Sequence, residues 1–185
     1  AIGIRLNGNK GRTIPQKSMQ LYARTSYGAE RFNFGFFDQK KQTTFKRIIL
    51  RSASSNDWKN TLFKNELAQK VSSNLNFEHP ASFPVIVFLN GEYWGIHHFS
   101  ERTDEHYISD YRNIEEQEID YLTSNAEVEK GSNENYLELQ DFILNNDLKQ
   151  TANYKYVCSQ INISNFIDYN CAELFFSNTD WPNNN

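Results

Sequence analysis

Pro84-Val85-Ile86-Val87-Phe88-Leu89-Asn90-Gly91-Glu92-Tyr93-Trp94-Gly95-Ile96-His97-His98-Phe99 is the stretch that sets the fold class. Its first run is rich in β-branched and aromatic side chains, which fit a pleated surface. Asn90-Gly91 tolerates the positive φ angles of a two-residue hairpin turn. A second run of the same character returns from Glu92 to Phe99, so the stretch predicts two antiparallel strands. Upstream, Ile2, Ile4 and Leu6 alternate as in a half-buried strand. Met19, Leu21 and Ala23 alternate with polar neighbours in a second strand starting near Lys17, and Phe45 to Arg51 encloses a buried strand at Ile48-Ile49-Leu50. Asn7-Gly8-Asn9-Lys10-Gly11-Arg12 is a polar glycine loop between the first two strands. Residues 25–44 read as loop anchored by Phe32, Phe34, Phe36 and Phe37.

Helical periodicity dominates between and after the strands. Asn56 is a candidate N-cap and Asp57 a first-turn carboxylate, ahead of Trp58, Leu62, Phe63, Leu67, Val71 and Leu75 at helical spacing. A short helix is predicted from Asp104 to Tyr111, with Asp104 placed to cap it. Residues 113–131 are acidic and turn-like. Ser132 can cap a helix carrying Tyr136, Leu139, Ile143 and Leu144, and Ser164 one carrying Ile167, Cys171, Leu174 and Phe175. Strands first and helices later predict an α+β fold. No internal linker is long enough to divide the chain.

The 185 residues give a net charge of −4 and a mean hydropathy of −0.71. No apolar run approaches the roughly 20 residues of a spanning helix, so no integral membrane segment is expected. An aromatic fraction of 15% argues against disorder. Mild acidity leaves no electrostatic footprint for nucleic acid. Cys158 and Cys171 are too few for a disulfide framework and lack metal-site spacing. The chain opens at Ala1 without an initiator Met or signal-peptide pattern and stops at Trp181-Pro182-Asn183-Asn184-Asn185. The expectation is an excised fragment.

Several constellations carry chemistry, each beside a plainer reading. The loop Gly8-Asn9-Lys10-Gly11-Arg12 followed by Lys17 lets backbone N–H groups and a cation approach phosphate. It equally fits an ordinary hairpin with solvated cations, and it is not a Walker loop. Asp180 and Asn185 stand five apart, the spacing of a kinase's catalytic Asp and its metal-binding Asn, but the segment also reads as a helix-ending turn. Glu101 can meet a ribose hydroxyl or a cation. Glu66 can pair with Lys17, or be one more exposed helix carboxylate. His97 and His98 look like a metal pair, yet strand neighbours point to opposite faces. The run Glu115-Glu116-Gln117-Glu118 reads as a solvated face.

Taken together, the segments resemble the CotH-like (spore coat protein H) family of atypical kinases, especially surface-associated members of Bacteroidetes-type bacteria. The resemblance is carried by Gly11-Arg12-Thr13-Ile14-Pro15-Gln16-Lys17-Ser18-Met19-Gln20-Leu21-Tyr22-Ala23-Arg24, by Asn56-Asp57-Trp58, by Phe88-Leu89-Asn90-Gly91-Glu92-Tyr93-Trp94-Gly95-Ile96-His97 with Glu101-Arg102, by Phe166-Ile167-Asp168-Tyr169, and by Asn178-Thr179-Asp180-Trp181-Pro182. It spans nearly the whole chain.

What the resemblance implies is a divergent protein-kinase-like fold using ATP and Mg²⁺. Arg12, Lys17 and Glu101 would contact nucleotide, Asp180 would be the catalytic carboxylate, and Asn185 would be a Mg²⁺ ligand. Residues 1–185 would be part of a kinase-like domain whose second metal-binding acid and remaining C-terminal lobe follow Asn185. The fragment itself would be a poor catalyst, and its parent would phosphorylate protein Ser/Thr at the cell surface or after secretion. The contrasting expectation is a non-catalytic surface module binding polysaccharide or protein through exposed aromatics. Truncation would also expose apolar surface on the helix at 164–177, giving a sticky patch and dimerisation through it.

Overall fold

A computed structural model describes residues 1–8, 12–38, 40–53, 57–179 and 181–182. The chain divides into two compact units, Ala1–Val71 with His79–Tyr111, and Ser72–Glu78 with Arg112–Asn185. Basic residues concentrate in the first, with fifteen Lys and Arg against nine Asp and Glu. The second holds four against fourteen, so a nearly neutral chain has one basic and one acidic half.

The first unit is built on a five-stranded antiparallel sheet. Its strands are β1 (Gly3–Leu6), β2 (Met19–Tyr22), β5 (Arg47–Arg51), β6 (Ser82–Leu89) and β7 (Glu92–Glu101), in the order β1-β2-β5-β7-β6. A small ladder of β3 (Phe32–Asn33) and β4 (Thr44–Phe45) lies in the segment between β2 and β5. Mixed strands and helices give the expected α+β class. The hairpin forms as its sequence predicts, with Asn90 and Gly91 at φ 51° and 84°, the left-handed pair a tight hairpin needs.

Register separates the sheet into two chemically distinct faces. Leu21 opposes Ile48, and Ile48 opposes Glu101. That face carries the core of Phe37, Phe45 and Ile48, joined by Leu21, Phe36 and Phe99. The offset row Arg5, Gln20, Ile49 and Ser100 lies on the other face, which is largely polar. At its edge, a Cβ on Gly3 would fall 2.2 Å from the Tyr22 ring, so a larger residue at that ladder position would require the ring to move. Ile2, Ile4 and Leu6 are exposed rather than half-buried. They alternate as a strand should, but β1 is an edge and, among the described residues of this unit, nothing covers them.

The first helix also departs from its sequence reading. It is α1, Lys64–Val71, and begins well after Trp58. Leu62 adopts φ 67°, which breaks the turn before the helix starts. Asn56 lies outside the described residues. Asp57 does the capping from a distance. It is buried and accepts from the Thr61 N–H at 3.2 Å, the Thr61 hydroxyl and the Lys64 N–H at 2.8 Å. Burial alone would raise its carboxyl, but the bonds from the Thr61 hydroxyl and the Lys64, Thr61 and Leu62 N–H groups prevail and hold it below its ordinary 3.8. Asp57→Ala is expected to lower stability by about 2–3 kcal/mol, combining a lost cap with stranded buried donors. Because the folded carboxyl titrates lower than the unfolded one, its contribution is present above the unfolded value and fades as pH falls through the folded value. Urea unfolding of wild type and Asp57→Asn should therefore converge on acidification from pH 7 to pH 3.

Helix α2 is Glu105–Arg112. Asp104 caps it as expected, accepting from the His106 and Tyr107 N–H groups at 3.1 and 3.2 Å. In the second unit, residues 121–130 form a hairpin of β8 (Tyr121–Thr123) and β9 (Glu127–Lys130), where the sequence reads only as acidic turn. Three helices follow: α3 (Glu134–Asn145), α4 (Thr151–Gln160) and α5 (Ile163–Phe175). Ser132 accepts from Glu134 N–H beside the Asn133 cap of α3, and α5 is capped by Asn162 rather than Ser164. Asp168 on α5 accepts from the backbone and side-chain amides of Asn76 at 2.8 and 2.6 Å, tying residues 72–78 to the helical unit.

Candidate functional site

The glycine loop is closed at its base by Asn7 N–H donating to the Ser18 carbonyl at 2.8 Å. Asn9, Lys10 and Gly11 lie outside the described residues. On the return arm, Gln16 donates to the Ile96 carbonyl at 2.5 Å and contacts His97 Nδ1 at 3.3 Å. His97 is fully buried, and its Nε2 lies 3.0 Å from the Lys17 carbonyl. One tautomer satisfies both contacts: Nε2 donates to Lys17 and Nδ1 accepts from Gln16. The arm is thereby clamped to β7. Ser18 adds a second clamp, accepting from the Ser52 N–H at 3.0 Å.

This clamp positions Lys17. Its ammonium donates to the carbonyls of Arg12 and Ile14 at 2.7 and 2.6 Å. Both acceptors are neutral, so among the described residues no carboxylate cancels its charge. Arg12 is exposed on the same loop. The Lys17 ammonium thus lies against the loop backbone at Arg12, a cationic corner with no carboxylate partner for Lys17 among the described residues, and an ammonium so placed fits phosphate oxygens.

Glu66 does not pair with Lys17. It sits on α1, 3.8 Å from His98 Nε2, and both side chains are largely buried. His98 in turn opposes Arg51 on the central strand β5. The two adjacent histidines point to opposite faces, as strand geometry requires, and serve different partners. The buried His98 Nδ1 has no hydrogen-bond partner among the described residues.

Glu101 is turned inward, with its side chain 1% exposed. It accepts from the Ala81 N–H at 2.7 Å and from the Tyr111 hydroxyl, and Lys40 Nζ stands 3.6 Å away. Lys40 lies over the Tyr111 ring at 4.7 Å. Burial, then the Glu101 carboxylate that accepts its proton, push the Tyr111 phenol well above its ordinary value. Glu101 is therefore held in a packed network at the end of β7, four strand residues from His97 and its contact with Lys17.

Asp180 and Asn185 lie outside the described residues. Among the described residues, no group of three or more His, Cys, Asp or Glu is arranged to hold a metal ion, and no helix is long and apolar enough to cross a membrane. The aromatics at the hairpin tip are exposed, but Phe88 and Tyr93 meet at 72°, edge to face. They do not form a flat platform for a sugar ring. Sequence reasoning missed the Gln16–His97 clamp and the Lys40–Glu101–Tyr111 network. Their partners are up to 81 residues apart, and no local spacing signals them.

No curated protein sequence matches the chain. A protein-family comparison does: the family model described as CotH kinase protein matches residues 4–185. That match runs from β1 through the loop, the hairpin and the helices to the last residue, so the chain belongs to the CotH kinase family.

Proposed function

We propose that this chain carries the nucleotide-binding part of a kinase that transfers the γ-phosphoryl group of ATP to Ser or Thr hydroxyls of protein. The observation that carries the reading is the Arg12–Lys17 corner, a clamped ammonium resting on neutral carbonyls, within a chain matched by the family throughout. When bound, ATP supplies the phosphoryl group and Mg²⁺ offsets its charge. Arg12 and Lys17 donate to phosphate oxygens. Asp180 orients the acceptor hydroxyl and takes its proton as the new O–P bond forms and the bond to ADP breaks. Asn185 offers its amide oxygen to the metal. Glu101 fixes the end of β7, where the chain turns toward α2.

The reading places this activity at the cell surface or after secretion. Incubation with γ-labelled ATP and Mg²⁺ tests it. A chain continuing past Asn185 should label itself or a protein acceptor, and Asp180→Ala should lower that by at least 10²-fold, on the order expected for a lost catalytic acid–base group. Equal incorporation by the Asp180→Ala protein would remove Asp180 from the mechanism.

Dimerisation is part of the same proposal. Phe166, Ile167, Leu174 and Phe175 are exposed on α5, an apolar surface of the kind that self-associates. Light scattering should show a concentration-dependent dimer. A strict monomer at high concentration would count against it.

A further inference from the structure

On the polar face of the sheet, at the Tyr22 end of β2, a second group of cations surrounds a pocket of about 120 Å³. Arg5, Arg24, Lys46 and Arg47 line it, with Gln20 and Tyr22 between them. Lys17 stands three residues of nearly extended chain from Gln20, the lining residue nearest to it in sequence, roughly 10 Å at about 3.3 Å per residue. This is a different place from the loop corner.

The charge in the pocket is only partly compensated. Arg47 pairs with Asp104 at 2.8 Å and Glu105 at 3.3 Å. Lys46 reaches Glu30 at 3.3 Å, but that carboxylate is 63% exposed and screened by water. Arg24 rests over the Tyr22 ring at 4.8 Å. Arg5 donates through Nε and Nη2 to Gln20 Oε1 at 3.2 and 3.0 Å. Arg102 donates to the same oxygen. Gln20 is 1% exposed, so one buried neutral amide oxygen receives two guanidinium groups. A glutamate of the same shape would cancel charge there, and the sequence has an amide instead. Among the described residues no carboxylate pairs with Arg5 or Arg24.

We propose that this pocket binds a phosphate monoester or free phosphate, held by Arg5 and Arg24 with Lys46 and Arg47 behind them. Cations arriving from two strands and two connecting segments suit a tetrahedral dianion with several acceptor oxygens better than a planar carboxylate, which one guanidinium fork satisfies. The size agrees, because small-molecule pockets typically hold roughly 300–1,000 Å³ and this one has room for a phosphoryl group rather than a nucleotide. The site does not depend on the kinase reading, since it uses neither Lys17 nor Asp180.

Titration calorimetry on the chain tests it with four probes: inorganic phosphate, a phosphoserine peptide, its serine counterpart, and ATP with Mg²⁺. Wild type should bind phosphate or phosphopeptide at one saturable site that weakens with added NaCl, and should ignore the serine peptide. The exposed pair Arg5→Gln with Arg24→Gln should weaken binding at least tenfold. Gln20→Glu should do the same by supplying an internal carboxylate, with no fall in Tm, which separates lost charge from lost fold. Lys149→Ala, which removes an exposed charge in the second unit, should leave phosphate binding unchanged. Tighter binding of the phosphopeptide assigns the ligand to a phosphorylated side chain, and equal binding assigns it to free phosphate. No saturable binding of either by wild type would overturn the proposal. So would loss in Lys149→Ala with retention in the Arg5/Arg24 pair, or loss of ATP binding in that pair, which would make the pocket part of the nucleotide site.

Discussion

Glu101→Ala is expected to destabilise the protein by about 3–5 kcal/mol, the range for removing one partner of a buried, hydrogen-bonded charge network. The carboxylate accepts from the Ala81 N–H and the Tyr111 hydroxyl and faces Lys40. Alanine would leave the N–H and the phenol without their acceptor and the Lys40 ammonium without its nearest anion, in a site from which water is nearly excluded. Each stranded group adds its own desolvation cost. Glu101→Gln should cost less, because the amide oxygen can still accept, although the ammonium loses its counter-charge. Chemical denaturation of the three proteins at neutral pH checks both the size and the order. If Glu101→Ala were within about 0.5 kcal/mol of wild type, the ordinary range of a surface substitution, the network would have no structural role and the residue would be free to serve a ligand directly.

Lys17→Ala is expected to lower phosphoryl transfer by a chain continuing past Asn185 by on the order of 10²–10³-fold, the scale of losing one preorganised charge donor. Stability should change little. The ammonium bonds only to the carbonyls of Arg12 and Ile14, while His97, Gln16 and Ser18 hold the arm through the backbone and their own side chains. Lys17→Arg should recover only part of the activity, because a planar fork does not reproduce a point charge resting on two carbonyls. A loss of transfer with unchanged unfolding places Lys17 at the chemistry. A parallel loss of stability would make it a loop anchor.

How much of this was legible in the sequence depends on how local the determinants are. The hairpin at Asn90-Gly91 and the Asp104 cap were readable because strand alternation, turn chemistry and capping act within a few residues. The start of α1 was not, because Leu62 breaks the helical path with a left-handed backbone that its own side chain does not advertise. The β8–β9 hairpin turns through Ser124–Ala126, with Asn125 at φ 62°. No Asn-Gly pair announces it, and its acidic strands look like solvated loop. The exposure of β1 is not readable from its pattern, because alternation specifies a strand but not whether it lies at an edge. Among the site residues, the bond from the Lys17 ammonium to the Arg12 carbonyl spans only five residues of chain. Glu66 with His98, Gln20 with Arg5, and Glu101 with Lys40 and Tyr111 are products of sheet register and packing, which spacing alone does not determine.

The central claim is that Lys17 sits where nucleotide phosphates bind, and a lysine-reactive acyl-phosphate derivative of ATP reads that position directly. Such a reagent transfers its acyl group to an amine held beside the phosphates, and peptide mass spectrometry locates the modified residue. The account predicts acylation of Lys17 that excess ATP with Mg²⁺ suppresses. Modification of other lysines at equal rates with and without ATP, with Lys17 left unmodified, would contradict it.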